Sequence, residues 1–72
     1  MPTIYQQLGQ RIREIRNAQG ISQEELSMRA GLHRTYIGSL ERGERNPTIE
    51  AISKIARALD VSIGDLVRDI EL

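Results

Sequence analysis

Seventy-two residues and 8.1 kDa accommodate one small domain, because dividing so short a chain would leave neither part enough core to fold without a staple. With no cysteine and a single histidine, the composition excludes disulfides, thiolate metal sites and cysteine nucleophiles, and no apolar run approaches the roughly 18 residues of a bilayer span. Ten basic and ten acidic residues cancel to a net charge of zero, so bulk charge by itself cannot hold a polyanion.

Met1-Pro2-Thr3-Ile4-Tyr5-Gln6 lacks the basic start and apolar stretch of a signal peptide, and the expected location is the cytoplasm. Ile4, Leu8, Ile12 and Ile15 then recur at helical spacing, with Thr3 as a cap and Gly20 as a terminator, which predicts a first helix over about 4–19. Ser22 and Glu25 stand three apart, as in a reciprocal capping box, and open a second helix over 23–30 that Gly31 ends; Leu26 and Ala30 point inward. A third helix, 34–42, has His33 at its cap, Ile37 and Leu40 as its apolar pair and Gly43 beyond its end. Glu44-Arg45-Asn46-Pro47 reads as a polar loop. Thr48 caps a fourth helix, 49–59, carrying Ile52, Ile55, Ala56 and Leu59, and Ser62 with Asp65 opens a fifth, 63–70, carrying Ile63, Leu66, Val67 and Ile70. No alternating run or hairpin signal competes, so the fold class is all-α, a compact bundle of five short helices with an aliphatic core.

Charge is sorted along this chain. Residues 11–45 hold seven Arg against five Glu, a local +2, while residues 46–72 hold three basic against five acidic groups, a local −2. Nine of the ten basic residues are Arg, whose planar fork suits bidentate recognition of phosphate, guanine or carboxylate. The second and third helices are too short to stand alone, and a tight Gly31-Leu32-His33 turn joins them, which is the arrangement of a helix-turn-helix. On the third helix Tyr36, Ile37, Leu40 and Glu41 gather on one side, and Arg34, Thr35, Gly38, Ser39 and Arg42 on the other. A merely solvated face would favour Lys, Glu and Gln; Thr, Gly and Ser weaken a helix and let something come close.

The major groove of DNA fits that description. Arg34 can pair with guanine O6 and N7, Thr35 and Ser39 can meet a base edge or a thymine methyl, and Gly38 lets the backbone sit deep. Gln23 at the start of the second helix is expected to donate to phosphate, as are Tyr36, Arg42, Arg45 and Asn46. The apolar side chains of the last segment, Ile63, Leu66, Ile70 and Leu72, exceed what so small a core needs and read as a homodimer seam.

Gly20-Ile21-Ser22-Gln23-Glu24-Glu25-Leu26, Ala30-Gly31-Leu32, Ile37-Gly38-Ser39-Leu40-Glu41-Arg42-Gly43 and Asn46-Pro47-Thr48 resemble the phage repressor (Cro/cI-like, XRE) helix-turn-helix family across roughly residues 7–67. His33-Arg34-Thr35-Tyr36-Ile37 is similar to the recognition segment of the small controller proteins of restriction-modification systems. The resemblance implies a five-helix lambda-repressor-like domain, a homodimer formed through the fifth helix, and repression or activation at a palindromic operator. It also implies a partly buried ion pair between Arg16 and Glu41. Against this stand two other readings. An interaction module would want a further segment for its partner, and an enzyme would want a nucleophile, a phosphate loop or a cleft, none of which appears in the sequence. A lone His33 cannot make a metal site, so no cofactor is expected, and nothing in the sequence calls for a small-molecule effector.

Overall fold

A computed structural model describes residues 1–71 and contains α1 (Ile4–Ala18), α2 (Gln23–Ala30), α3 (Arg34–Glu41), α4 (Ile49–Ala58) and α5 (Ile63–Val67). Each helix starts where an extended residue turns its side chain onto a free backbone N–H: Thr3, Ser22, Thr48 and Ser62 through hydroxyls, and His33 through Nδ1, which accepts from the Thr35 N–H at 3.1 Å. The reciprocal box expected at Ser22 and Glu25 is only half made. Ser22 Oγ accepts the Glu25 N–H at 3.0 Å, but the Glu25 carboxylate turns instead to Arg29 one helical turn on, at 2.8 Å. Complete boxes occur at Thr3 with Gln6 and at Ser62 with Asp65. The Ser62 N–H and hydroxyl, with Arg68 and Arg11 adding lesser attraction, hold the Asp65 carboxyl below the usual carboxylate range.

The largest departure from the periodicity lies at the C-terminus. α5 ends at Val67, where the pattern of apolar residues predicts a helix reaching 70; Arg68 is extended and Asp69 takes a left-handed φ of 64°. The cause is on α1. Arg11 donates to the carbonyls of Asp65 at 2.8 Å and Arg68 at 2.7 Å, and the Gln7 side-chain amide both donates to the Glu71 carbonyl and accepts its N–H, at 2.9 and 2.8 Å. Backbone groups that would continue a helix are thus satisfied by the first helix.

Ile12, Leu26, Ile37, Ile55, Leu59 and Leu66 are wholly enclosed, one from each of α1 to α5 and one from the end of α4, around a single aliphatic cluster. Leu66 is therefore core and cannot belong to a surface seam, because its side chain is already covered by its own chain. Ile70 is half-buried against the same cluster, and Leu72 lies outside the described residues. α1 packs on α3 and α5, α2 on α3 and α4, and α4 on α5. Among the described residues no helix is long and apolar enough to cross a membrane.

α1 meets the end of α3 backbone to backbone. A Cβ on Gly9 would stand 2.2 Å from the Leu40 carbonyl oxygen and 2.7 Å from that of Glu41, so only glycine admits this approach. Gly64 differs: its nearest neighbour would be Ser62 Oγ at 3.5 Å, an ordinary contact. Gly9→Ala should therefore destabilise by about 1–3 kcal/mol or more through overpacking. Gly64→Ala should gain about 0.5–1 kcal/mol from lost chain entropy. Urea unfolding of the two variants tests the contrast, and equal effects would contradict it.

Candidate nucleic-acid interface

The α2–α3 pair is shaped by its turn. Gly31 caps α2 in the left-handed conformation at φ 68°, the Leu32 N–H returns to the Ser27 carbonyl at 3.0 Å, and His33 begins α3 two residues after the glycine. Leu26 and Ala30 on α2 join Ile37 and Leu40 on α3 in the core, which leaves the opposite side of α3 free to face outward.

Behind α3 lies a buried polar cluster. Arg16 Nε donates to Glu41 Oε2 at 2.7 Å and Arg16 Nη2 to Glu41 Oε1 at 3.0 Å, while Nη1 reaches the Ile21 carbonyl at 2.8 Å. The two side chains are 10% and 2% exposed. The hydrogen bonds from Arg16 to Glu41 raise the guanidinium above its ordinary value against the opposing effect of desolvation. Gln23 completes the cluster, its Nε2 donating to Glu41 Oε1 at 3.0 Å. No buried side-chain nitrogen or oxygen among the described residues lacks a partner.

In front of α3, Gln23, Arg34, Thr35, Gly38 and Arg42 converge on a shallow concavity of roughly 230 Å³. Arg34 and Thr35 are exposed at the start of the helix. Gly38 is its floor. Arg42, expected on this outer side of α3, lies along the helix: its Nη1 would stand 3.2 Å from a Cβ at position 38, and its Nε pairs with Glu44 at 3.1 Å. Two expected contacts change. Ser39 is buried, with its hydroxyl donated to the Tyr36 carbonyl at 2.8 Å, because the chain turns at Gly43 and comes back to that flank, where the Glu44 N–H bonds the Ser39 carbonyl. Gln23, read from the sequence as a free donor, has one of its amide N–H groups committed to Glu41.

The remaining residues sit beside this concavity. Tyr36 is half-buried against the core with the Arg45 guanidinium 5.5 Å from its ring centroid, a cation–π pair that holds Arg45 on the same side as α3. Asn46 is exposed but lines a different pocket, with Ile4, Tyr5, Pro47 and Val67. Away from α3, Ile63 and Val67 on α5 and Ile49 on α4 are exposed at 39%, 42% and 73%. Val67 and Ile49 were absent from the expected seam; the alternation of inward and outward positions on so short a helix could be resolved only once α5 was placed. Among the described residues no cluster of His, Cys, Asp or Glu could hold a metal ion.

Two short helices joined at a glycine, the second presenting an arginine and a threonine at its start and a glycine on the same side, are the DNA-reading unit of a helix-turn-helix regulator. The Helix-turn-helix family matches residues 12–66, and the chain belongs to that family of DNA-binding transcriptional regulators rather than to an enzyme family. It is 47% identical over 60 residues to Control protein C.SmaI of Serratia marcescens, covering 83% of this chain and 71% of that one. It is likewise 47% identical over 60 residues to Control protein C.BamHI of Bacillus amyloliquefaciens, covering 82% and 74%. The crystal structure of the restriction-modification controller protein C.AhdI from Aeromonas hydrophila superimposes with a TM-score of 0.85 at 47% identity, over 86% of this chain and 94% of that one.

Removing one member of the buried pair strands the other in a desolvated site. Glu41→Ala should cost about 3–5 kcal/mol, as breaking buried pairs does. Chemical denaturation would measure it, and a loss under about 1 kcal/mol would place the pair among surface bridges.

Proposed function

We propose that the chain acts as a homodimer on a palindromic operator in the cytoplasm, where it sets transcription as a restriction-modification controller. The observation that carries this reading is the concavity on α3, where Arg34, Thr35 and Arg42 gather about Gly38, which puts no side chain between them. A helix with that outer face fits the major groove: Arg34 takes a guanine, Thr35 a neighbouring base edge, and Gly38 allows close approach. Arg45, steadied over Tyr36, and Asn46 are assigned to the flanking phosphates, with the Tyr36 hydroxyl available to the same strand. Two copies reading successive major grooves would place their recognition helices about 34–36 Å apart.

The seam of the dimer is revised from the sequence reading. Ile63 stays in it, Leu66 and Ile70 give way to Val67 and Ile49, and the apolar face of α4 and α5 is the surface assigned to the second copy. With no effector required, operator filling follows protein concentration through dimerisation. The controller role is supported by the names of the relatives and the C.AhdI likeness.

Selection of duplexes from a random DNA pool at two salt concentrations tests the reading. A palindrome with half-sites one turn apart should be enriched, with affinity falling at a slope near −0.9 per neutralised phosphate. Arg34→Ala should cost roughly 1–3 kcal/mol and relax preference at one base position; uniform loss across sequences would remove its base-reading role. Val67→Asp should give a folded monomer by sedimentation, with most operator affinity lost; a variant still dimeric would move the seam elsewhere.

A further inference from the structure

The orientation of the Gln23 amide carries a consequence for which base pairs the protein selects. Glu41 Oε1 already accepts from Arg16 Nη2 at 3.0 Å, and the Gln23 nitrogen donates to the same atom at 3.0 Å. An ionised carboxylate only accepts hydrogen bonds, so turning the amide over would set oxygen against oxygen in a buried site. Gln23 therefore faces Glu41 with its nitrogen and the outer concavity with its oxygen. That oxygen would stand 3.6 Å from a Cβ at position 38, and Arg42 Nη1 would stand 3.2 Å from the same point. An acceptor and a donor thus meet over Gly38, in the concavity that Arg34 and Thr35 also line.

We infer that Gln23 is a specificity-determining residue whose fixed amide oxygen, beside the Arg42 guanidinium, accepts from an exocyclic amino group in the major groove. The inference rests on the DNA-reading role assigned to α3. An acceptor beside a donor complements a base-pair edge that offers an amino donor beside an acceptor. Three edges do so: N6 and N7 of adenine, adenine N6 with the O4 of its paired thymine, and cytosine N4 with the O6 of its paired guanine. An outward oxygen repels phosphate, which separates this role from the backbone contact expected of a glutamine at a helix start. Glu41 acts as a positioning residue, because the bond it accepts decides which end of the amide reaches the DNA.

The test compares wild type with Gln23→Ala in selection from a random duplex pool, followed by affinity measurement on the enriched operator. The variant should lose preference at one base pair in each half-site, with about a tenfold loss on that operator and an unchanged salt slope. Duplexes in which purine replaces adenine, or pyrimidin-2-one replaces cytosine, at that position should weaken wild type by a similar factor and leave Gln23→Ala unaffected. Whichever analogue acts identifies the base. If Gln23→Ala weakens all sequences equally and lowers the salt slope, or if neither analogue at any position weakens wild type, the inference is overturned. Should Gln23→Ala not fold, Gln23→Met, which keeps the length of the side chain and removes its amide oxygen, takes its place in the same comparison, and an analogue effect that persists in it overturns the inference. A wild type that enriches no sequence would instead overturn the DNA-reading role itself.

Discussion

Arg16 and Glu41 form the contact on which the reading face depends. A guanidinium and a carboxylate, each nearly removed from water, meet through two hydrogen bonds between α1 and the last turn of α3. Such a pair adds little net stability over a well-packed apolar substitute, since desolvation consumes most of the attraction. Its directionality is what an apolar contact could not supply. The bidentate geometry holds the end of α3 at one rotation relative to α1, and the remaining guanidinium nitrogen ties the chain entering α2 through the Ile21 carbonyl. Gln23 joins the same carboxylate from the start of α2, so all three helices meet at one buried charge.

α1 extends that control across the molecule. Its Gly9 lets the carbonyl end of α3 lie directly on its backbone, while Gln7 and Arg11, two and two residues to either side and on another face, grip the chain after α5. A five-residue helix has almost no stability of its own, so α5 depends on its capping box at one end and on Arg11 at the other. One rigid helix thus carries both the surface that reads DNA and the surface assigned to the second copy. In the proposed dimer, the separation of the two recognition helices would be set through α1.

A net charge of zero shapes how such a protein selects its sites. In the proposed reading, weak bulk attraction would keep non-specific binding low, and the arginines gathered on and after α3 would place attraction beside the concavity assigned to base edges. Arg42 illustrates the economy of this arrangement. It lies over the helix because residue 38 has no side chain to obstruct it, and Glu44 orients its Nε.

The caps, the glycine turns and the aliphatic periodicity made five helices and the α2–α3 unit legible in the sequence, because each is a local signal spanning three or four residues. Arg34, Thr35 and Gly38 were legible for the same reason: their spacing on one helix sets the face they share. The burial of Ser39, the enclosure of Leu66 and the shortening of α5 were not, since each follows from a distant segment closing over or gripping the residue. Glu41 was recognisable as inward-facing from its helix alone, but its hold on Gln23 joins residues 18 apart. Sequence by itself determined which elements form and which side chains are available. Only the tertiary structure decided which way the Gln23 amide points and which apolar groups remain outside, because both depend on contacts between helices that no local spacing records.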